Sequence, residues 1–167
     1  MPLKISWLSR VNLGTLIEAE THDAPISLNG DALISGYYIN ELLLKLLHKD
    51  DPHNEIFLLY SETIKKLSLT NQLAPLLRQF EMKLLKLIGY ALSLDEVSDT
   101  NEPPDPLSYY EYRPDIGLIA VDNNKGPMIF LGSQLESIRQ QNFECEDTLI
   151  CANRLLRYVI SHQLGGK

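Results

Sequence analysis

Apolar and polar residues alternate over Leu3 to Leu8, with Leu3, Ile5 and Trp7 separated by Lys4 and Ser6. That is the period of a strand with one buried face. Asn12 to Gly14 supplies a turn signal, and Thr15 to Thr21 reads as a second strand. A two-stranded unit is marginal in water, so the pair is expected to be the end of a larger sheet begun by residues outside this sequence. From about residue 28 the period lengthens. Ala32 to His48 carries Leu33, Ile34, Tyr37, Tyr38, Leu42, Leu43, Leu46 and Leu47. These cover most of a helix circumference, which predicts a helix central to a bundle, capped by Asn29 or Asp31. Asp50, Asp51 and Pro52 end it and launch the next. His53 to Leu67 places Ile56, Phe57, Tyr60, Ile64 and Leu67 at helical spacing, with Lys65 and Lys66 in the last turn, where they complement the helix dipole. Leu73 to about Tyr90 carries Leu73, Leu76, Leu77, Phe80, Leu84, Leu87 and Ile88 on one stripe, with Gly89 suited to its end. Short connections favour an antiparallel arrangement of the three.

The pattern then breaks. Ser93 to Leu107 holds Asp95, Glu96, Asp99, Glu102, Asp105 and several prolines, an acidic, flexible linker or loop. Tyr109–Tyr112, Gly117–Val121 and Met128–Leu131 read as short strands, with turns at Pro114-Asp115 and Asn123 to Gly126. Ser133 is placed to cap a short helix through Gln141. Glu146 to Gln163 forms the last helix, with Leu149, Ala152, Leu155, Leu156, Val159 and Ile160 facing inward. The expected fold class is α+β, mainly α: a helical domain with a small β insertion at about 108–132, preceded by two strands. No internal repeat or low-complexity tract interrupts it.

Composition narrows the function. The 167 residues are 44% hydrophobic, enough for one compact core. The formal net charge of −7 argues against strong DNA binding by the chain as a whole, because phosphate neutralisation supplies much of that affinity. Cys145 and Cys151 form neither a CxxC pair nor a set with histidines at ligand spacing, so no zinc site is expected and reduced, buried thiols are. There is no signal peptide over Met1 to Arg10 and no apolar run of the roughly 18 residues a membrane span needs. The expectation is a soluble, cytoplasmic protein. Neither a G-x-S-x-G elbow nor a P-loop nor a Rossmann glycine pattern occurs. No catalytic set or cofactor is expected, and the chain reads as a non-enzyme.

Three segments carry a family resemblance. "SGYYINELLLKLL" resembles the "YINEL" helix of RecO proteins, "LLRQFEMKLLKLIGY" resembles that family's "LRRFE…LL…LGY" helix, and "LGGK" resembles the start of its Gly-Gly-Lys ending. Order and approximate spacing also match. The resemblance covers residues 28–167, and residues 1–27 fit a two-strand remnant of the family's N-terminal OB-fold. It implies a DNA repair and recombination mediator of the RecF pathway. Such a protein binds single-strand-binding protein, RecR and single- and double-stranded DNA, anneals strands and helps load RecA. The sequence departs from the family in lacking most of the OB barrel with its basic loops, in lacking the zinc cysteines some members carry, and in stopping at Lys167. It is therefore expected to be truncated and to bind DNA weakly. The alternative is a helical protein-interaction domain that retains partner binding but not annealing.

Candidate contact residues follow. Arg78, Met82 and Leu85 share a helix face apart from the main stripe, flanked by Lys83 and Lys86. The face suits a peptide with an aromatic side chain and a terminal carboxylate. The resemblance names one, the acidic C-terminal tail of single-strand-binding protein. Ordinary helix packing with solvated charges is the other reading. Arg154 and Arg157 form either a solvated face or a contact for phosphate or RecR. Lys4 and Arg10 flank the first strands, where OB folds commonly hold nucleic acid. Trp7 reads as core, with base stacking as the alternative.

Overall fold

The computed structural model describes residues 3–9, 14–21, 25–48 and 52–165. Strands β1 (Leu3–Ser9) and β2 (Gly14–Thr21) pair antiparallel, with a register shift between Ser6 and Trp7. The register places Leu3 opposite Thr21, Ile5 opposite Ala19 and Trp7 opposite Leu16, while Lys4 faces Glu20 and Ser6 faces Glu18. One face of the ribbon is therefore mainly apolar and the other polar. No described element covers either: Trp7 is 71% exposed, against the expectation of core.

Three helices follow: α1 (Gly30–Leu46), α2 (Asn54–Leu67) and α3 (Leu73–Leu87). In α1 the buried residues are Ser35, Gly36, Ile39 and Leu42, a single stripe, whereas Leu33, Ile34, Tyr37 and Leu44 remain exposed. The central helix is instead α3, which packs on α1, α2 and α5 (Glu146–Gln163). Its buried arc is correspondingly wide. Leu76, Phe80 and Leu84 form one row, and Arg78, Glu81 and Leu85 a second. Periodicity overrated α1 because apolar content reports what a helix could bury, not how many neighbours it has. Helix α3 ends as Gly89 predicts. With Gly89 at φ 88°, its N–H bonds to the Lys86 carbonyl and that of Tyr90 to the Leu85 carbonyl, the paired bonds of a Schellman motif.

The segment between α3 and the second sheet is irregular, yet it is no free linker. Leu94 and Val97 are buried, and Val97 bridges Leu118. Two apolar anchors within an acidic stretch tie it to the core. The sheet has order β4-β3-β5, all antiparallel, from β3 (Tyr109–Arg113), β4 (Gly117–Val121) and β5 (Ile129–Leu131). Helix α4 (Gly132–Arg139) begins directly from β5, with Leu131 rather than Ser133 at its N-cap. Gly132 is required there: a Cβ would lie 2.0 Å from the Asp105 carbonyl oxygen. Helix α5 closes the core with Cys151, Ala152, Leu155, Leu156, Val159 and Ile160. Cys151 is buried as expected, but Cys145, at the α5 N-cap, is exposed. The fold is α+β and mainly α.

Candidate partner-binding site

The face expected around Arg78 is divided between core and surface. Leu85 is 0% exposed, and Arg78 is buried beside it. Arg78 donates from Nη2 to Glu81 Oε1 at 2.8 Å and from Nη1 to Asn153 Oδ1 of α5. The Tyr38 hydroxyl of α1 donates to the same Glu81 oxygen at 2.5 Å. Tyr38, Arg78, Glu81 and Asn153 thus tie α1, α3 and α5 together. Burial pushes the Glu81 carboxyl above its ordinary value, while the Arg78 guanidinium and the Tyr38 hydroxyl pull it back. Burial, then the neighbouring carboxylate, pushes the Tyr38 phenol upward as well. Arg78 Nε and Glu81 Oε2 have no hydrogen-bond partner. Arg78 and Leu85 therefore do not line the surface. Helical spacing put them with Met82 on a face outside the core stripe, but both are buried, and Arg78 is bonded to α5.

One helical turn away, the surface half of the expected set does come together. Met82, Lys83 and Lys86 line a groove of about 370 Å³ with Leu92 and Leu94 of the irregular segment and Arg139 of α4. Met82 and Leu92 are half-buried and Leu94 is buried, while Lys83, Lys86 and Arg139 are exposed. Apolar side chains thus form the floor, and cations form the rim. Arg139 grips Glu136 with Nε and Nη2, at 2.7 and 2.6 Å, and this hydrogen bonding holds the Glu136 carboxyl below its usual range. Its remaining Nη1 reaches Asp95 Oδ1, a groove residue, at 3.3 Å. The groove already receives one carboxylate from the chain itself. On their other side, Lys83 and Lys86 border a hollow lined by Glu55 and Glu62, where an anion would meet like charge.

Arg139, Leu92 and Leu94 were missed by sequence reasoning. They lie far from α3 in the chain, and only tertiary packing brings them there. The signal available was Arg139 in the last turn of an amphipathic helix, which alone marks dipole complementarity.

The remaining candidates separate. The Arg154 guanidinium lies 4.5 Å from the Phe130 ring centroid, and its Nη2 donates to the Ile129 carbonyl at 3.0 Å. It fastens α5 to β5. Arg157 is exposed, as is Lys4. Arg10 lies outside the described residues, as do Gly166 and Lys167 of the Gly-Gly-Lys ending. Among the described residues no group of His, Cys, Asp and Glu could hold a metal ion, and no helix is long and apolar enough to cross a membrane.

Comparison with known proteins decides the family. The profile described as "Recombination protein O C terminal" matches residues 27–167. The chain belongs to the RecO family of DNA repair proteins. It is 38% identical over 168 residues to the DNA repair protein RecO of Nitrosospira multiformis, covering 99% of this chain and 69% of that protein. It is 38% identical to the RecO of Pseudomonas aeruginosa over 167 residues, 100% of this chain and 71% of that one. The RecO of Coxiella burnetii is 36% identical over 166 residues, 99% and 71% of the two chains. Within this RecO chain the groove adjoins the buried Arg78–Glu81 pair on α3: Glu81 is buried in the core, and its neighbour Met82 lines the groove.

Proposed function

We propose that this RecO chain is a non-catalytic recombination mediator of the RecF pathway, docking the acidic C-terminal tail of single-strand-binding protein in the groove between α3 and α4. The observation that carries the reading is the groove itself. It has an apolar floor of Met82, Leu92 and Leu94 beneath Lys83, Lys86 and Arg139, and Arg139 is already in contact with a carboxylate. An aromatic side chain fits the floor, and terminal and side-chain carboxylates fit the rim. Arg78 serves as a positioning residue, holding α3 from inside, while Arg139 takes the anchoring part first expected of Arg78. Such a role needs no catalytic group. The buried titratable groups Tyr38 and Glu81 use their hydrogen bonds on each other and on Arg78.

The wider role follows from the family resemblance: engagement of RecR and DNA, strand annealing and support of RecA loading, in the cytoplasm. Arg157 and Lys4 are exposed cations available for phosphate or RecR, while Arg154 is held against β5. A second reading, a helical interaction domain that recruits partners without annealing, is favoured by the net charge of −7.

Fluorescence anisotropy with a labelled acidic tail peptide tests the docking site. Arg139→Ala should weaken binding by roughly ten-fold, the weight of one charge-assisted hydrogen bond of about 1.5 kcal/mol, and Lys86→Glu by more. Unchanged affinity in both variants, with both folded, removes the groove from the function.

A further inference from the structure

The groove does not end at Met82. Gln141 lines both it and a larger hollow of about 670 Å³ at the start of α3, and Gln79 in that hollow is one helical turn from Met82. The two hollows are therefore neighbours along α3, with Gln141 in the wall of both. Their chemistry differs. The second hollow is rimmed by the carboxamides Asn71, Gln72, Gln79, Gln141 and Asn142, over apolar Leu73, Phe143 and Leu149. Its only ionisable lining residue is Glu144, so it repels carboxylates, whereas the other half attracts them. Each primary amide offers both a donor and an acceptor, the pairing that an extended peptide main chain presents at every residue.

The junction is built with strain. Gln141 has φ 56°, a left-handed conformation that glycine adopts freely and that other residues adopt at a cost. It follows α4 as the turning residue of a Schellman motif: its N–H bonds to the Ile138 carbonyl and that of Asn142 to the Ser137 carbonyl, both at 2.9 Å. Where α3 places glycine for this task, α4 places Gln141, a lining residue of both hollows.

We propose that the carboxamide-lined hollow is a second subsite, which holds the uncharged main chain immediately preceding the acidic end of the docked tail. The inference rests on the tail-docking reading above and sets the direction of the bound chain. Its terminal carboxylate lies toward Lys86 and Arg139, and the chain before it runs toward the N-terminus of α3. From Gln72 to Lys86 the helix spans about 21 Å at about 1.5 Å per residue. An extended chain at about 3.4 Å per residue covers that with roughly six residues, about half in each part.

The test uses two labelled peptides on the full chain. The short one is an acidic segment ending in an aromatic residue with a free carboxylate, and the long one has the same end preceded by about four alternating Gly and Gln residues. The long peptide should bind about three- to ten-fold tighter, the effect of one net hydrogen bond or slightly more. Gln79→Ala should erase the gain while leaving the short peptide's affinity within about two-fold. N-methylation of the extension, which removes main-chain donors without touching the protein, should erase it too. Equal affinities of the two peptides for the wild type overturn the subsite and leave tail docking standing, as does a gain that persists in both Gln79→Ala and the N-methylated peptide. Binding of neither peptide overturns both readings.

Discussion

Replacing Arg78 by methionine tests the buried network that fixes α3. The change keeps an unbranched stem and removes the guanidinium with its charge. It deletes the 2.8 Å ion pair with Glu81 and the hydrogen bond to Asn153, leaving a carboxyl that is 0% exposed with only Tyr38 as a partner. Breaking a buried pair from one side costs about 3–5 kcal/mol. Part of this is avoidable, since Glu81 can take up a proton, and burial already raises its pKa. A carboxyl whose folded-state pKa lies above its unfolded value of about 4.3 contributes its full stability below that unfolded pKa and loses it as pH rises through the folded pKa. Removing Arg78 takes away an influence that lowers the Glu81 pKa, so the variant's folded pKa rises further. Relative to wild type, the penalty should therefore be small near about pH 4.5 and grow with pH by at most about 1.4 kcal/mol per unit. It should approach about 3–5 kcal/mol near about pH 8. Urea unfolding followed by far-UV circular dichroism at several pH values reads this directly. The double variant Arg78→Met/Glu81→Leu removes both charges and should recover most of the loss near about pH 8, because paired apolar replacements of a buried ion pair are often neutral. A penalty independent of pH, or a double variant no better than the single one, refutes this account of Glu81.

Three further outcomes are expected. Gly132→Ala should lower stability by about 3 kcal/mol or more, since its Cβ would meet the Asp105 backbone at 2.0 Å; an unchanged urea midpoint contradicts the packing there. Asp95→Asn, which removes the chain's own carboxylate from Arg139, should tighten acidic tail binding by about two- to five-fold, in keeping with an exposed pair worth up to about 1 kcal/mol, and the gain should vanish in an Arg139→Ala background. Binding to single-stranded DNA should be weak and fall steeply with salt, given the net charge of −7; tight binding that persists at high salt argues against it.

The helices were legible because each carries a stripe long enough to be read: the limits of α5 agree with the sequence pattern to the residue, and those of α2 and α3 to within a few. The short strands were also legible, their alternation being bounded by Gly117 and by the Asn123–Gly126 turn. What periodicity could not give was the neighbour count. Helix α1 is apolar almost all round yet keeps Ile34, Tyr37 and Leu44 exposed, while α3, with Arg78 and Glu81 in its span, is the hub. Charged residues hide from a hydrophobic pattern when they are buried as a pair. The same blindness shaped the site. Met82, Lys83 and Lys86 follow from helical spacing, but Leu92, Leu94 and Arg139 join them only through the packing of a segment whose acidity marked it as loop. Only Leu94 and Val97, two apolar residues among carboxylates, signalled that this segment is anchored.

The central claim is that the groove between α3 and α4 recruits single-strand-binding protein by its tail. Calorimetric titration of the intact partner into this RecO chain, beside a partner lacking only its acidic C-terminal tail, tests that most directly. The account predicts saturable binding to the intact partner, loss of most of that affinity without the tail, and a matching loss when the intact partner meets the Arg139→Ala, Lys86→Glu variant. Equal binding of the intact and tail-less partners contradicts it.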